Sequence, residues 1–197
     1  MILDGELLSG NILKAAKAAI RGGADIIQLR DKRSPVPDVV KMAKALAALC
    51  RRHDVPFIVN DHVEAAVAAN ADGVHIGQGD IGVAAAKKLL GPGKIVGVSA
   101  TSIAQAKKAK HEGASYIGGG PVFKTPIKQA RTAKGIALLE KIKLLGIPML
   151  AIGGIDDRTV LSLTKRGIRS IAVIRAVCAE RDKFAATKRL KEALALL

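Results

Sequence analysis

Phe57-Ile58-Val59-Asn60-Asp61, the run His62–Asn70, and Gly73-Val74-His75-Ile76-Gly77-Gln78-Gly79-Asp80 read as strand, helix, strand. Both strand candidates are continuous apolar runs, the mark of strands buried on both faces. A single Asp after a strand is usually a helix cap or a turn former. Asp61 and Asp80, however, stand one structural period apart. If the strands are parallel neighbours, both carboxylates sit at one end of the sheet, which makes a natural seat for a divalent cation.

The same unit recurs along the whole chain. Further strand candidates are Ile2–Asp4, Asp25–Arg30, Ile95–Ser99, Tyr116–Gly119, Met149–Ile152 and Ser170–Ile174, with Ala-, Lys- and Leu-rich helical stretches between them. Several helices stop at glycine just before the next strand, at Gly22-Gly23, Gly113, Gly146 and Gly167. Eight strand–helix units in 197 residues predict a compact (β/α)8 barrel, one domain over residues 1–197, with an unusually short first strand. A doubly wound open sheet is the alternative; it would normally use fewer strands, and no GxGxxG follows the first one. A last helix, about Ala179 to Leu196, is expected to close the chain.

Composition narrows the function classes. Aromatics are 2% of the chain against 49% hydrophobic residues, so the core must be aliphatic. No apolar run reaches the roughly 18 residues of a membrane span, and the start lacks a signal-peptide pattern. Cys50 and Cys178 have no metal or redox spacing and read as buried free thiols, so the cytoplasm is the expected compartment. The net charge of +15 comes largely from lysines spaced along helices, as on solvated outer faces. Without a dense basic tail or an aromatic platform, no nucleic-acid partner and no membrane is expected. The charge still attracts small anions.

In a barrel of this kind the chemistry sits at the C-terminal ends of the strands. Strand two ends in Gln28-Leu29-Arg30-Asp31-Lys32, whose alternation puts Gln28, Arg30 and Lys32 on one face. Strand three ends in Asn60-Asp61, strand five in Gly97-Val98-Ser99, and strand six in a glycine-rich loop that carries Thr125 and Lys128. Strand seven ends in Ile152-Gly153-Gly154-Ile155 and strand eight in Ile174-Arg175. Loops at those last two positions commonly bind phosphate through backbone N–H groups. Of the four histidines, His53 and His111 read as surface residues, His62 as near the site, and His75 as a structural residue inside strand four.

Taken in order and spacing, these motifs resemble thiamine-phosphate synthase over nearly the whole chain. The resemblance implies a transferase that joins a hydroxymethylpyrimidine diphosphate to a thiazole phosphate, releasing diphosphate. It implies Mg²⁺ on Asp61 and Asp80, and pyrimidine diphosphate contacts from Gln28, Arg30, Lys32, Asn60 and Lys128. It places Ser99 beside the pyrimidine, with Ser99 and Lys128 as catalytic residues, and sets Thr125, Gly153, Gly154, Ile174 and Arg175 around the thiazole phosphate. The partners it implies are small phosphorylated molecules, and an assembly of identical chains is left open. The chain departs from the family pattern at Ala100-Thr101, where a sister thiazole tautomerase has a working histidine, at Ile127, where a hydroxyl is lost, and at Arg175, where the family usually has Ser. A tautomerase-like enzyme or a non-catalytic phosphate-binding paralogue are the alternatives.

Overall fold

The computed structural model describes residues 1–125 and 134–195. Eight parallel strands pair in sequence order: β1 Ile2–Asp4, β2 Ile27–Arg30, β3 Phe57–Asn60, β4 Gly73–Ile76, β5 Ile95–Ala100, β6 Tyr116–Gly119, β7 Met149–Ile152 and β8 Ile171–Ala172. The Ile2 amide donates to the Val173 carbonyl at 3.0 Å, so the chain segment after β8 meets β1 and the sheet curls into a TIM barrel. Helices cross over on the outside, including α1 Gly5–Leu8, α2 Ile12–Arg21, α3 Val36–Arg51, α4 Val63–Ala68, α5 Val83–Leu90, α6 Ile103–His111, α7 Gly135–Lys143, α8 Val160–Thr164, α9 Arg175–Cys178 and α10 Lys183–Ala195.

The helices lie close because their inward faces carry small residues. Ala15, Ala16 and Ala19 of α2, and Ala43 and Ala47 of α3, are buried, with Phe57, Leu46 and Ile117 filling the gaps between helices and sheet. The helical lysines named by their spacing, among them Lys14, Lys17, Lys44, Lys87, Lys107 and Lys141, are exposed. Cys50 and Cys178 are buried free thiols, and burial pushes each thiol up to about 11. No helix among the described residues is long and apolar enough to cross a membrane.

The short first strand is real: all three of its residues are buried, and each pairs with β2. Four elements differ in their bounds from expectation: β5 runs one residue further, to Ala100, β8 is Ile171–Ala172 and not Ser170–Ile174, and β2 and the closing helix both start later. Strand β2 begins at Ile27, because Asp25 and Ile26 are exposed beneath the barrel. The closing helix begins at Lys183 and not near Ala179, because Asp182 caps it by accepting the Ala185 amide at 3.0 Å. The short α9, Arg175–Cys178, follows β8 after two residues and ends before that cap.

Candidate active site

Strand register delivers the polar residues to the C-terminal end of the barrel. Asp4 of β1 stands opposite Arg30 of β2, and the Arg30 guanidinium is paired with the Asp4 carboxylate. Asp4 is 3% exposed, and its second oxygen accepts the Leu7 amide at 3.2 Å, capping α1. The sequence marks Asp4 only as the last residue of a strand candidate; its position level with Arg30 comes from the pairing of β1 with β2. Lys32 lies past the strand, exposed, and its Nζ sits 2.6 Å from Asp61 Oδ2. The loop between them is shaped by Asp31. Burial raises the Asp31 pKa, but the amides of Ser34 and Arg33 donate to its carboxylate and bring it below the ordinary value.

Asp61 and Asp80 do follow adjacent parallel strands. Asp61 takes a left-handed backbone, φ 65°, and its amide donates to the His75 carbonyl at 2.9 Å. Asp80 Oδ2 accepts the Gly77 amide at 2.6 Å. Asn60 is half-buried and stands opposite His75. Among the described residues, Oδ1 of Asp61 and of Asp80 makes no hydrogen bond, and no three His, Cys, Asp or Glu side chains gather into a cation cage. That donor set fits Mg²⁺ of the kind held by one or two carboxylates plus waters and phosphate oxygens; it does not fit an all-protein cage.

The middle of the barrel is occupied by a ring pair. His75 Nδ1 lies 2.9 Å from the Tyr116 hydroxyl, and His75 Nε2 lies 2.9 Å from Ser99 Oγ. The Gln78 side-chain amide donates to the Ser99 carbonyl at 2.7 Å, fixing the backbone beneath that hydroxyl. Burial pushes the Tyr116 phenol well above its ordinary pKa, partly offset by the nearby Gln28 side chain. Tyr116 and Gln78 were not singled out by the sequence reading, because their importance depends on strands that meet only in the fold.

On the other side of the mouth is a cavity of ≈ 330 Å³. Ser99, Thr125, Gly153, Gly154, Ile174 and Arg175 all line it. Gln28, Arg30, Lys32, Asn60, Asp61 and Asp80 lie outside its walls; Gln28 instead borders a second cavity of ≈ 460 Å³ at the N-terminal end of the barrel. Lys128 and Ile127 lie outside the described residues. Gly153 and Gly154 have φ 101° and 68°, and a Cβ on them would fall 2.6 Å from Pro121 Cβ and 2.5 Å from the Lys124 carbonyl. Glycine is therefore needed to dock this loop against the β6 loop, a closer constraint than ligand approach alone.

A family model described as thiamine monophosphate synthase matches residues 1–177. The chain belongs to the thiamine monophosphate synthase family. All the candidate site residues, from Gln28 to Arg175, fall inside that match. Thiamine-phosphate synthase of Coprothermobacter proteolyticus is 43% identical over 194 residues, covering 98% of this chain and 92% of that protein. The thiamine-phosphate synthase of Thermosynechococcus vestitus is 41% identical over 183 residues; the match takes in 92% of this chain but only 52% of that longer protein. Among solved structures, thiamine phosphate pyrophosphorylase from Pyrococcus furiosus superposes with a TM-score of 0.90 at 34% identity, over 98% of this chain and 94% of that one. A 3-hexulose-6-phosphate synthase, 20% identical with a TM-score of 0.68, covers 97% of this chain and 95% of its own, and shares the barrel alone.

Proposed function

We propose that this chain is a transferase of thiamine biosynthesis that joins a hydroxymethylpyrimidine diphosphate to a thiazole phosphate, forming thiamine phosphate and releasing diphosphate. One domain, residues 1–197, would carry both substrates and work in the cytoplasm. The observation that carries this reading is the division of one barrel mouth: a side rich in fixed charge faces a side with an open, glycine-walled cavity.

The bond from the pyrimidine methylene carbon to the diphosphate oxygen breaks first, and its electron pair leaves with the diphosphate. The carbocation left behind is stabilised by the pyrimidine ring. The thiazole nitrogen then attacks it with its own lone pair, so no general base is needed. That fits a site whose central histidine is buried against Tyr116 and Ser99.

The burden on the protein is the negative charge that grows on the leaving group. Arg30 and Lys32 are cations aimed from β2, with Lys128 assigned to the same task by the family pattern. Lys32 reaches the diphosphate by leaving Asp61. Asp61 and Asp80 would hold Mg²⁺, which when bound neutralises charge on the diphosphate oxygens. Gln28 and Asn60 orient the pyrimidine. Thr125, the amides of Gly153 and Gly154, Ile174 and Arg175 hold the thiazole phosphate in the cavity. The net charge of +15 raises the local concentration of both anionic substrates.

The test is direct. Purified protein incubated with both substrates and Mg²⁺ should yield thiamine phosphate; no product across a wide range of Mg²⁺ sinks the reading.

A further inference from the structure

Ser99 stands at the rim of the mouth cavity, and the groups that orient its hydroxyl are stacked beneath it. His75, Gly97 and Tyr116 are consecutive partners across β4, β5 and β6. Gly97 leaves the space that the Tyr116 ring crosses to reach His75: a Cβ there would lie 2.1 Å from Tyr116 Cζ. Gly118, paired with Ser99, leaves room on the other side, where a Cβ would meet His75 Cε1 at 3.1 Å. Two strands thus give up a side chain each so that the two rings, 5.5 Å apart between centroids, fit inside the barrel.

The hydrogen-bond chain has a direction. Tyr116 holds one proton, and its burial keeps it a phenol. Among the described residues, His75 Nδ1 is the only hydrogen-bond partner of the Tyr116 hydroxyl. The buried Gln28 Oε1 has no partner among the described residues, so it does not take the phenol proton. That proton goes to His75 Nδ1 at 2.9 Å. With Nδ1 accepting, the imidazole proton is on Nε2 and is donated to Ser99 Oγ at 2.9 Å.

Resting on the proposed function, we infer that Tyr116 and His75 form a one-way hydrogen-bond chain that makes Ser99 a hydrogen-bond donor toward an acceptor atom of the bound substrate. His75 and Tyr116 are positioning residues in this scheme, acting through Ser99. A serine that receives a bond from histidine has its own O–H left to give outward. It is not deprotonated by that histidine, so it serves neither as a nucleophile nor as a base. This suits a reaction whose need is to stabilise a departing anion.

Nitrogen-15 NMR of histidine-labelled, ligand-free protein reads the tautomer directly, with the His75 signals assigned by their loss in His75→Gln. The expected result is the Nε2–H form at neutral pH; the Nδ1–H form overturns the chain. Kinetics supply a second reading that needs no ring signal. Tyr116→Phe should mix the tautomers and lower kcat about 10-fold, with KM for thiazole phosphate within about 2-fold. Ser99→Ala should cost a similar factor, and the double variant no more than the larger single loss. Multiplying losses would show that Tyr116 does not act through Ser99. An Nε2–H signal in a protein that makes no thiamine phosphate would refute the synthase reading and leave the chain of bonds standing.

Discussion

On the β1–β4 side of the mouth, Arg30, Lys32 and Asp80 already have partners: Asp4, Asp61 and the Gly77 amide. On the β6–β8 side, a cavity of ≈ 330 Å³ stands beside Lys124 and Arg175, neither of which forms an ion pair among the described residues. In the proposed function the first side would exchange partners to take a diphosphate and its cation, whereas the second is already formed. Binding on the charged side should therefore respond to cation, salt and charge substitution, and binding on the open side to shape and to single anion contacts. The charged side is itself uneven. The Arg30–Asp4 pair is shielded, with side-chain exposures of 17% and 4%, whereas Lys32 is 54% exposed in its pair with Asp61.

Asp4→Asn should have the largest effect, because it keeps the α1 cap but leaves the Arg30 guanidinium without its counter-ion. Breaking one partner of a buried pair costs about 3–5 kcal/mol. Urea unfolding of the variant should show a loss of that order. A loss under about 1 kcal/mol would mean that Arg30 is held by packing alone.

Asp80→Ala comes next. Asp80 is exposed, and its recorded structural bond is to its own loop, so unfolding should barely change. If it carries the cation on the leaving group, kcat should fall about 10²–10³-fold, the scale for losing one electrostatic stabiliser of the transition state. Unchanged turnover would remove its metal role and the main contrast between the two sides.

Arg175→Ser sharpens the contrast from the open side. The substitution restores the residue usual in the family and removes an exposed cation from the cavity rim. A charged hydrogen bond to phosphate is worth about 1.5–3 kcal/mol, so KM for thiazole phosphate should rise roughly 10-fold or more while kcat holds. A fall in KM would show that Arg175 obstructs the pocket.

The barrel was legible because strands buried on both faces announce themselves as apolar runs at a regular spacing. Asp61 and Asp80 were legible for the same reason, since parallel order turns sequence spacing into spatial register. Asp4 was not: its partner Arg30 is 26 residues away and is chosen by the pairing of β1 with β2. The His75–Tyr116–Ser99 arrangement needed three strands in register before any of its members meant more than a core residue. Gly153 and Gly154 sit where loops commonly bind phosphate, but their nearer task is to admit the β6 loop, a contact no sequence pattern displays. The late start of the closing helix was missed because Asp182 looks the same in sequence whether it caps a helix or decorates one.

Lys32→Ala has the smallest expected effect on stability and the most telling sign. The Lys32–Asp61 pair is mostly exposed, so its removal should change unfolding by no more than about 1 kcal/mol. Two binding measurements should then move in opposite directions. Without Lys32 the diphosphate loses a cation, so affinity for the pyrimidine diphosphate falls. Without Lys32, Asp61 also loses the ammonium that occupies Oδ2 at 2.6 Å, so Mg²⁺ measured by calorimetry in the absence of substrate should bind more tightly than in wild type. That increase would show that the charged side is held by an internal counter-ion which the ligand displaces. Equal Mg²⁺ affinity in the two proteins would mean that Lys32 and the cation do not compete for Asp61, and the charged side would then be as preformed as the cavity opposite it.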